Sequence, residues 1–212
     1  MRFMTAPLSG RRAQAARNDD RILDAARHVF VADPAAPIAA VAERAGVGIS
    51  ALYRRYQSKE ELLRKLCGDG LRSYIAHAEQ ALADGEDPWE AFVGFMRRVV
   101  DADTHSLTMS LAGTFRPTEQ LYADAARAGR LNEELVSRTK AAGVLREDVQ
   151  VSDFGMIFQM VAAVRLGDEE RTAELRHRYL ALLLDALRAD KQHTRLPGAA
   201  PRQKETQERW QV

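Results

Sequence analysis

Along this chain apolar residues return at helical spacing in one run after another, with short polar breaks between them. Ile22, Ala26, Val29 and Phe30 fall three and four apart, which predicts a first helix with Asp19 or Asp20 as its cap. Asp33-Pro34 and Pro37 mark a loop. Ile38, Val41, Ala42 and Ala45 then make one apolar face over two turns, and Pro37 suits the first turn, where a missing N–H is harmless. Gly46 ends that helix in a left-handed backbone conformation. A third helix begins near Gly48 to Ser50 and turns Leu52 and Tyr56 inward. Ser50, Ala51, Tyr53, Arg54 and Arg55 are left as outward candidates. Ser58 with Glu61 three residues on is a capping box, and it opens a fourth helix carrying Leu62, Leu63 and Leu66.

The helical pattern continues to the end of the periodic region. Leu71, Ile75, Ala78 and Leu82 form a stripe that stops at Asp84 to Pro88, and Trp89, Phe92, Val93, Met96 and Val99 form the next. A short apolar segment spans Leu107 to Leu111. Leu121, Ala125, Ala128, Leu131, Leu135 and Val136 lie on one long helix. Ala142 to Leu145 is a turn. A helix starts at Ser152 and runs to Gly167, and the last spans about Glu169 to Leu187. Neither a strand alternation nor an internal repeat of 20 to 50 residues is present, so the fold is predicted to be all-α.

Two short helices joined as tightly as those on either side of Gly46 have the form of a helix-turn-helix, whose second helix enters the DNA major groove. The stretch from Asp19 to Leu66 resembles the N-terminal domain of the tetracycline-repressor family of bacterial transcription regulators. The likeness is carried by the AERAGV of Ala42 to Val47, the ALYRRYQSKEELL of Ala51 to Leu63, and the Ile22/Ala26/Phe30 spacing. Gly48, Ile49 and Ser50 stand where the family usually has a small capping residue, a variable residue and glycine. Ala36 and Pro37 stand where a threonine often caps the second helix. These departures weaken caps without removing an element, and Ser50 brings a hydroxyl toward DNA.

The resemblance implies roles. The ring of Tyr53 packs against deoxyribose while its hydroxyl donates to phosphate. Arg54 reaches phosphate or a guanine edge. Lys59, at the start of the fourth helix, is expected to anchor phosphate, and Arg44 is a second positioning candidate. Gly48, Ser50 and Ala51 complete the set on the reading helix. Arg11, Arg12 and Arg17 are expected to form an arm on the DNA backbone or in an adjacent minor groove.

Charge fits a basic head on an acidic body. The whole chain of 212 residues carries only +1, yet residues 1–60 hold ten Lys or Arg against six Asp or Glu, and residues 61–187 come to −6. The first eighteen residues hold Arg2, Arg11, Arg12 and Arg17 with no acid. Only the head is therefore expected to approach phosphate. One cysteine, Cys67, excludes an intramolecular disulfide and reads as a buried thiol. No apolar run approaches the roughly 20 residues of a membrane span, so a cytoplasmic protein with no membrane partner is expected.

The expected domains are a helix-turn-helix DNA-binding domain over 19–66, a helical effector-binding and dimerisation domain over 67–189, and a flexible tail over 190–212. The AGVLREDV of Ala142 to Val149, followed by an apolar helix, is similar to the entry to the last two helices of the same family, which pair with their mates in a homodimer. A two-fold dimer reading two half-sites is also what a single helix-turn-helix needs. The body's aromatic and thioether content points to an apolar small-molecule site. Its candidate residues are Trp89, Phe92, Met96, Met109, Tyr122 and Phe158, with His105 and Gln159 as polar points. The five histidines, His28, His77, His105, His177 and His193, form no metal motif, and there is no nucleotide loop or nucleophile elbow, so neither catalysis nor a cofactor is expected. The expected function is a DNA-binding regulator, a repressor released from an inverted-repeat operator by a small apolar effector. An effector-independent DNA-binding or structural protein with the same head is the alternative.

Overall fold

Local capping chemistry sets where most helices of this chain begin. In the computed structural model Asp87 precedes Pro88 and accepts from the backbone N–H groups of Trp89, at 2.8 Å, and Glu90, at 3.2 Å. Thr118 Oγ1 accepts from Leu121 N–H at 3.2 Å, and Asp168 Oδ1 from Arg171 N–H at 2.8 Å. Each side chain satisfies donors that the first helical turn leaves unpaired. The structure describes residues 10–84, 87–103, 107, 111, 113–190, 194–202, 204, 205 and 208.

These residues form α1 (Gly10–Ala32), α2 (Ile38–Ala45), α3 (Ile49–Arg55), α4 (Lys59–Ala83), α5 (Pro88–Asp101), α6 (Glu119–Ala141), α7 (Val151–Ala162) and α8 (Glu169–Leu187). The fold is all-α, an N-terminal helix cluster and a C-terminal helical bundle. Among the described residues the β structure is one isolated antiparallel bridge, Leu145 with Arg188. The chain divides into two compact units, residues 1–66 and 67–212. Among the described residues no helix is long and apolar enough to cross a membrane.

In the first unit Ile22, Ala26 and Phe30 of α1, Val41 and Ala45 of α2, and Leu52 of α3 are buried together with Tyr56. The second unit is built on α5, whose Phe92, Phe95 and Met96 are fully enclosed. They meet Ala78 and Ala81 of α4, Leu135 of α6, Phe154 and Phe158 of α7, and Leu180 and Leu184 of α8. Tyr74 sets its ring edge-on to Phe95 at 5.3 Å, and Phe92 tilts against Phe154 at the same separation. The Tyr74 hydroxyl donates to Asn132 Oδ1 at 3.0 Å, so its polar end is satisfied within the bundle. Cys67 is buried and burial pushes its thiol up to about 12, which suits the unreactive role expected of it.

Several boundaries differ from the sequence expectation. Asp19 and Asp20 cap nothing, because α1 already runs from Gly10 and carries both inside it. The Ala- and Arg-rich segment ahead of them favours helix. Pro37 is the N-cap of α2, with ψ 151°, and not its first helical residue. The fourth helix and the Leu71–Leu82 stripe are one helix, α4. The expected helix from Ser152 starts one residue earlier, where Gln150 and Asp153 make a reciprocal cap, and it ends at Ala162, well before Gly167. Part of the tail is tied down. Asp148 accepts from Leu196 N–H at 3.1 Å while Arg146 Nη2 donates to Thr194 O at 2.9 Å. Trp210, set apart in the sequence as odd for a tail, lies outside the described residues.

Because Phe92 has no exposed surface and joins two aromatic pairs, with Trp89 and with Phe154, Phe92→Ala should cost about 3–5 kcal/mol. Denaturant unfolding of the full chain measures this through a lower midpoint at unchanged slope.

Candidate nucleic-acid interface

The turn between α2 and α3 rests on Gly46. Its φ of 62° is left-handed, and a Cβ there would come 2.7 Å from Arg21 Nη2. Gly46 N–H donates to Glu43 O at 3.0 Å and Val47 N–H to Ala42 O at 3.0 Å, closing the last carbonyls of α2. The chain then re-enters helix at Ile49, with Gly48 as an N-cap that has no side chain to offer.

α3 buries Leu52 completely and leaves Ser50, Tyr53, Arg54 and Arg55 exposed, with Ala51 half-buried. Tyr53 keeps 47% of its surface accessible. The outward set expected from the sequence is thus brought to one side of the helix. Ile49, which the sequence reading left out of the set, is also exposed. The signal was partial: Ile49 lies one turn before Tyr53 but also three residues before the buried Leu52.

Two charged residues do work that sequence did not reveal. Arg55 donates through Nε and Nη2 to the two carboxylate oxygens of Asp19, both at 2.7 Å, and Tyr56 Oη donates to Asp19 Oδ1 at 2.7 Å. Asp19, on α1, therefore grips the C-terminal end of α3. The hydrogen bonds from Arg55, and after them the one from Tyr56, hold its carboxyl below the ordinary carboxylate value despite partial burial. Lys59 Nζ donates to the carbonyls of Pro34, at 2.8 Å, and Ala36, at 2.7 Å, and sits 4.9 Å from the centre of the Phe30 ring. Two of its three donors thus fasten the α1–α2 loop, a different task from the phosphate anchoring expected of it. Ser58 Oγ accepts from Glu61 N–H at 3.1 Å, but Glu61 returns to Gln57 N–H, at 2.7 Å, one residue before the expected cap.

Arg44 is exposed in the last turn of α2. The expected Arg11–Arg17 arm is helical, since these residues belong to α1. Arg17 is exposed and donates to Gln14 Oε1 at 2.8 Å, while the side chains of Arg11 and Arg12 lie outside the described residues.

Four of the expected effector residues lie among the core side chains of the second unit. Trp89, Phe92, Met96 and Phe158 are all packed into one hydrophobic cluster. Tyr122, 59% accessible, and Gln159 lie on the outside, because the buried stripe of α6 runs through Ala128, Leu135 and Val136 and that of α7 through Phe154, Ile157, Phe158 and Val161. His105 and Met109 lie outside the described residues. A cleft of about 10 Å³, room for about one water, opens between α5, α7 and α8 beside Val99, Phe158 and Arg176.

Asp19→Asn should remove one charge-assisted pair from α3, at a cost of about 1 kcal/mol given that Arg55 is half exposed to solvent. The sign with pH follows from the lowered carboxyl. Its contribution is complete above the ordinary value of 3.8 and is lost as pH falls through the depressed value in the folded head. Thermal melts from pH 6 downward should show the two proteins converging in acid, and a constant gap would contradict the pairing.

Residues 22–66 match the family described as bacterial regulatory proteins, tetR family, and residues 87–189 match the C-terminal domain described as transcriptional regulator SbtR-like. A TetR transcription regulatory protein from Mycobacterium vanbaalenii is 30% identical, over 84% of this chain and 98% of that one, with a TM-score of 0.51. A TetR regulator from Streptomyces coelicolor is 24% identical, over 81% of this chain and 99% of its own, with a TM-score of 0.55. LfrR from Mycobacterium smegmatis, solved in complex with proflavine, is 22% identical, over 78% and 95%, with a TM-score of 0.56, and shares the fold. No curated protein matches. Two family models in the expected order, together with the relative from Mycobacterium vanbaalenii, identify the chain as a member of the TetR family of DNA-binding bacterial transcription regulators.

Proposed function

We propose that this regulator is a homodimeric repressor that reads an inverted repeat with α3 and is released from it by a small molecule held in the second unit. The observation that carries the reading is the division of α3 into a buried base, Leu52 with Tyr56 beyond it, and an exposed side bearing Ser50, Tyr53 and Arg54. On this reading Arg54 and Ser50 meet base edges, Ile49 meets a thymine methyl, and Tyr53 and Arg44 position the head on phosphate. Gly48 and Ala51 let the backbone approach closely. Lys59 has one donor beyond its two carbonyl bonds for phosphate. Arg11, Arg12 and Arg17 lie on the first turns of α1 for contact with the flanking backbone.

Dimerisation is supported by an apolar surface that a single chain leaves open. Tyr179, Leu182 and Ala186 stand three and four apart along α8 and are all exposed, as is Met160 on the adjoining α7. Such a stripe suits pairing with a second copy through a two-fold axis. The effector reading is supported by the match of the second unit to a regulator C-terminal domain and by the proflavine complex of a protein of the same fold. The dense packing of Phe92 and Met96 favours the alternative, a DNA-binding protein with no effector. Coupling requires only that the effector prefer the arrangement of heads that misses adjacent grooves, and typical coupling is about 1–3 kcal/mol.

Leu182→Glu should place a charge in the middle of the stripe. Sedimentation at micromolar protein should then show monomer where the unaltered chain is dimer, and affinity for an inverted repeat selected from a random duplex library should fall while single-site binding survives. A monomeric unaltered chain would defeat the dimer reading.

Arg54→Ala should change preference among variants of that selected site by about 1–3 kcal/mol at one base step. Tyr53→Phe, by contrast, should weaken all variants about equally. A reversal of the two effects would remove α3 from the role given to it.

A further inference from the structure

Arginines in this chain use one edge of the guanidinium to hold carboxylates. Arg55 grips Asp19 with Nε and Nη2, and Arg146 grips Asp148 with the same two atoms at 2.6 and 2.8 Å. Elsewhere in the second unit Arg138 donates to the carbonyls of Leu82 and Asp84, and Arg176 to those of Ala162 and Val164. At Arg98, on α5, Nε and Nη2 are both buried and meet no hydrogen-bond acceptor among the described residues. Burying a cationic donor without an acceptor is strongly unfavourable, and native structures rarely retain one without a use.

The surroundings bear on why nothing among the described residues answers this edge. Gly94 lies one turn before Arg98, and a Cβ there would stand 3.2 Å from Nη1, so the guanidinium lies back along its own helix over the glycine. Asp101, one turn after Arg98, is committed to His177 on α8, at 2.7 Å. Burial first, and then the charge of nearby Arg98, lower the affinity of His77 on α4 for a proton. Ser73 Oγ lies 3.3 Å from His77 Nε2. The neighbourhood is thus polar on one side and aromatic on the other, where Phe95, three residues before Arg98, is fully buried against Tyr74.

We propose that Arg98 is the anchor of the effector site and that the effector is a small organic carboxylate, held by the Nε and Nη2 edge. This rests on the reading that the second unit binds an effector, and it replaces a purely apolar ligand by an amphipathic acid. Two parallel N–H donors match a planar carboxylate, and the pair is strong where water is excluded. The same site holds two buried donors without an acceptor among the described residues, so removing them stabilises the free state.

Thermal melts and calorimetric titrations of the full chain test this with octanoate and benzoate, their neutral partners octan-1-ol and benzyl alcohol, and inorganic phosphate. The acids should raise the melting midpoint of the unaltered protein while the alcohols and phosphate do not. Arg98→Met should melt above the unaltered protein with nothing added, and its affinity for the acids should fall by about tenfold to a hundredfold. Arg98→Lys, a point charge without the paired edge, should retain a weakened response. Alcohols binding as well as the acids, in both the unaltered protein and Arg98→Met, would overturn the carboxylate anchor and leave the effector reading standing. Phosphate acting as well as the acids would overturn the organic class. An Arg98→Met protein that melts below the unaltered one and still answers the acids would overturn the role of Arg98, as would no response to any compound. In that last case release of operator DNA by other small molecules decides the effector reading separately.

Discussion

A helix of seven residues cannot hold itself together in water, and the second helix of the helix-turn-helix, α3, is that short. Everything in the head follows from this. Leu52 has no exposed surface and Tyr56 almost none, so the helix is pinned by burial at two points. Asp19 adds a third from α1, gripping Arg55 and Tyr56 at the far end, and Gly46 fixes the near end through a turn that no other residue fits without strain. The caps contribute little here, since Gly48 has no side-chain oxygen and Pro37 none either. A head with weak caps compensates through tertiary bonds. That is why the side of α3 carrying Ser50, Tyr53 and Arg54 can be left for DNA.

What sequence reveals about such a head is whatever depends on near neighbours along the chain. The inward turn of Leu52 and Tyr56 is a matter of spacing, the left-handed Gly46 a matter of residue type, and α8 runs from Glu169 to Leu187 as periodicity and an acidic cap require. Asp19 was misassigned as a cap, and the part Lys59 plays in fastening the loop was missed, because their partners are distant in sequence. Arg55 lies 36 residues from Asp19, and Pro34 lies 25 from Lys59. A carboxylate at a plausible helix start looks like a cap, and a lysine at a helix start looks like a phosphate ligand, until three-dimensional neighbours claim them. The tail was read as loose for the same reason: its tie, Asp148 to Leu196, spans 48 residues.

In the body the obstacle was of another kind. Aromatic and methionine content measures how much apolar surface a chain must hide, and gives no sign of whether a cavity remains when it is hidden. Phe92 and Met96 fill the bundle, whereas Tyr122 takes the solvent side of α6 because Ala128, Leu135 and Val136 occupy the other. Composition could not distinguish these fates. A polar residue in the same helix is more informative, since apolar packing tolerates many arrangements but an enclosed guanidinium tolerates few.

Charge counting has a parallel weakness. The head's excess of basic residues suggests a surface made for phosphate, yet Arg55 is paired with Asp19, and Lys59 gives two donors to backbone carbonyls and lies against the Phe30 ring. Some of the basic residues in the count are therefore also tied into the fold. In the second unit, whose net charge is negative, the converse holds. Arg146 and Arg176 there meet carboxylates, whereas two buried donors of Arg98 meet no acceptor among the described residues, so an overall acidic balance coexists with a locally unanswered guanidinium edge. Net charge describes long-range steering, while the partner of each guanidinium decides local recognition, and in this protein the two descriptions point in opposite directions for the head and for the body.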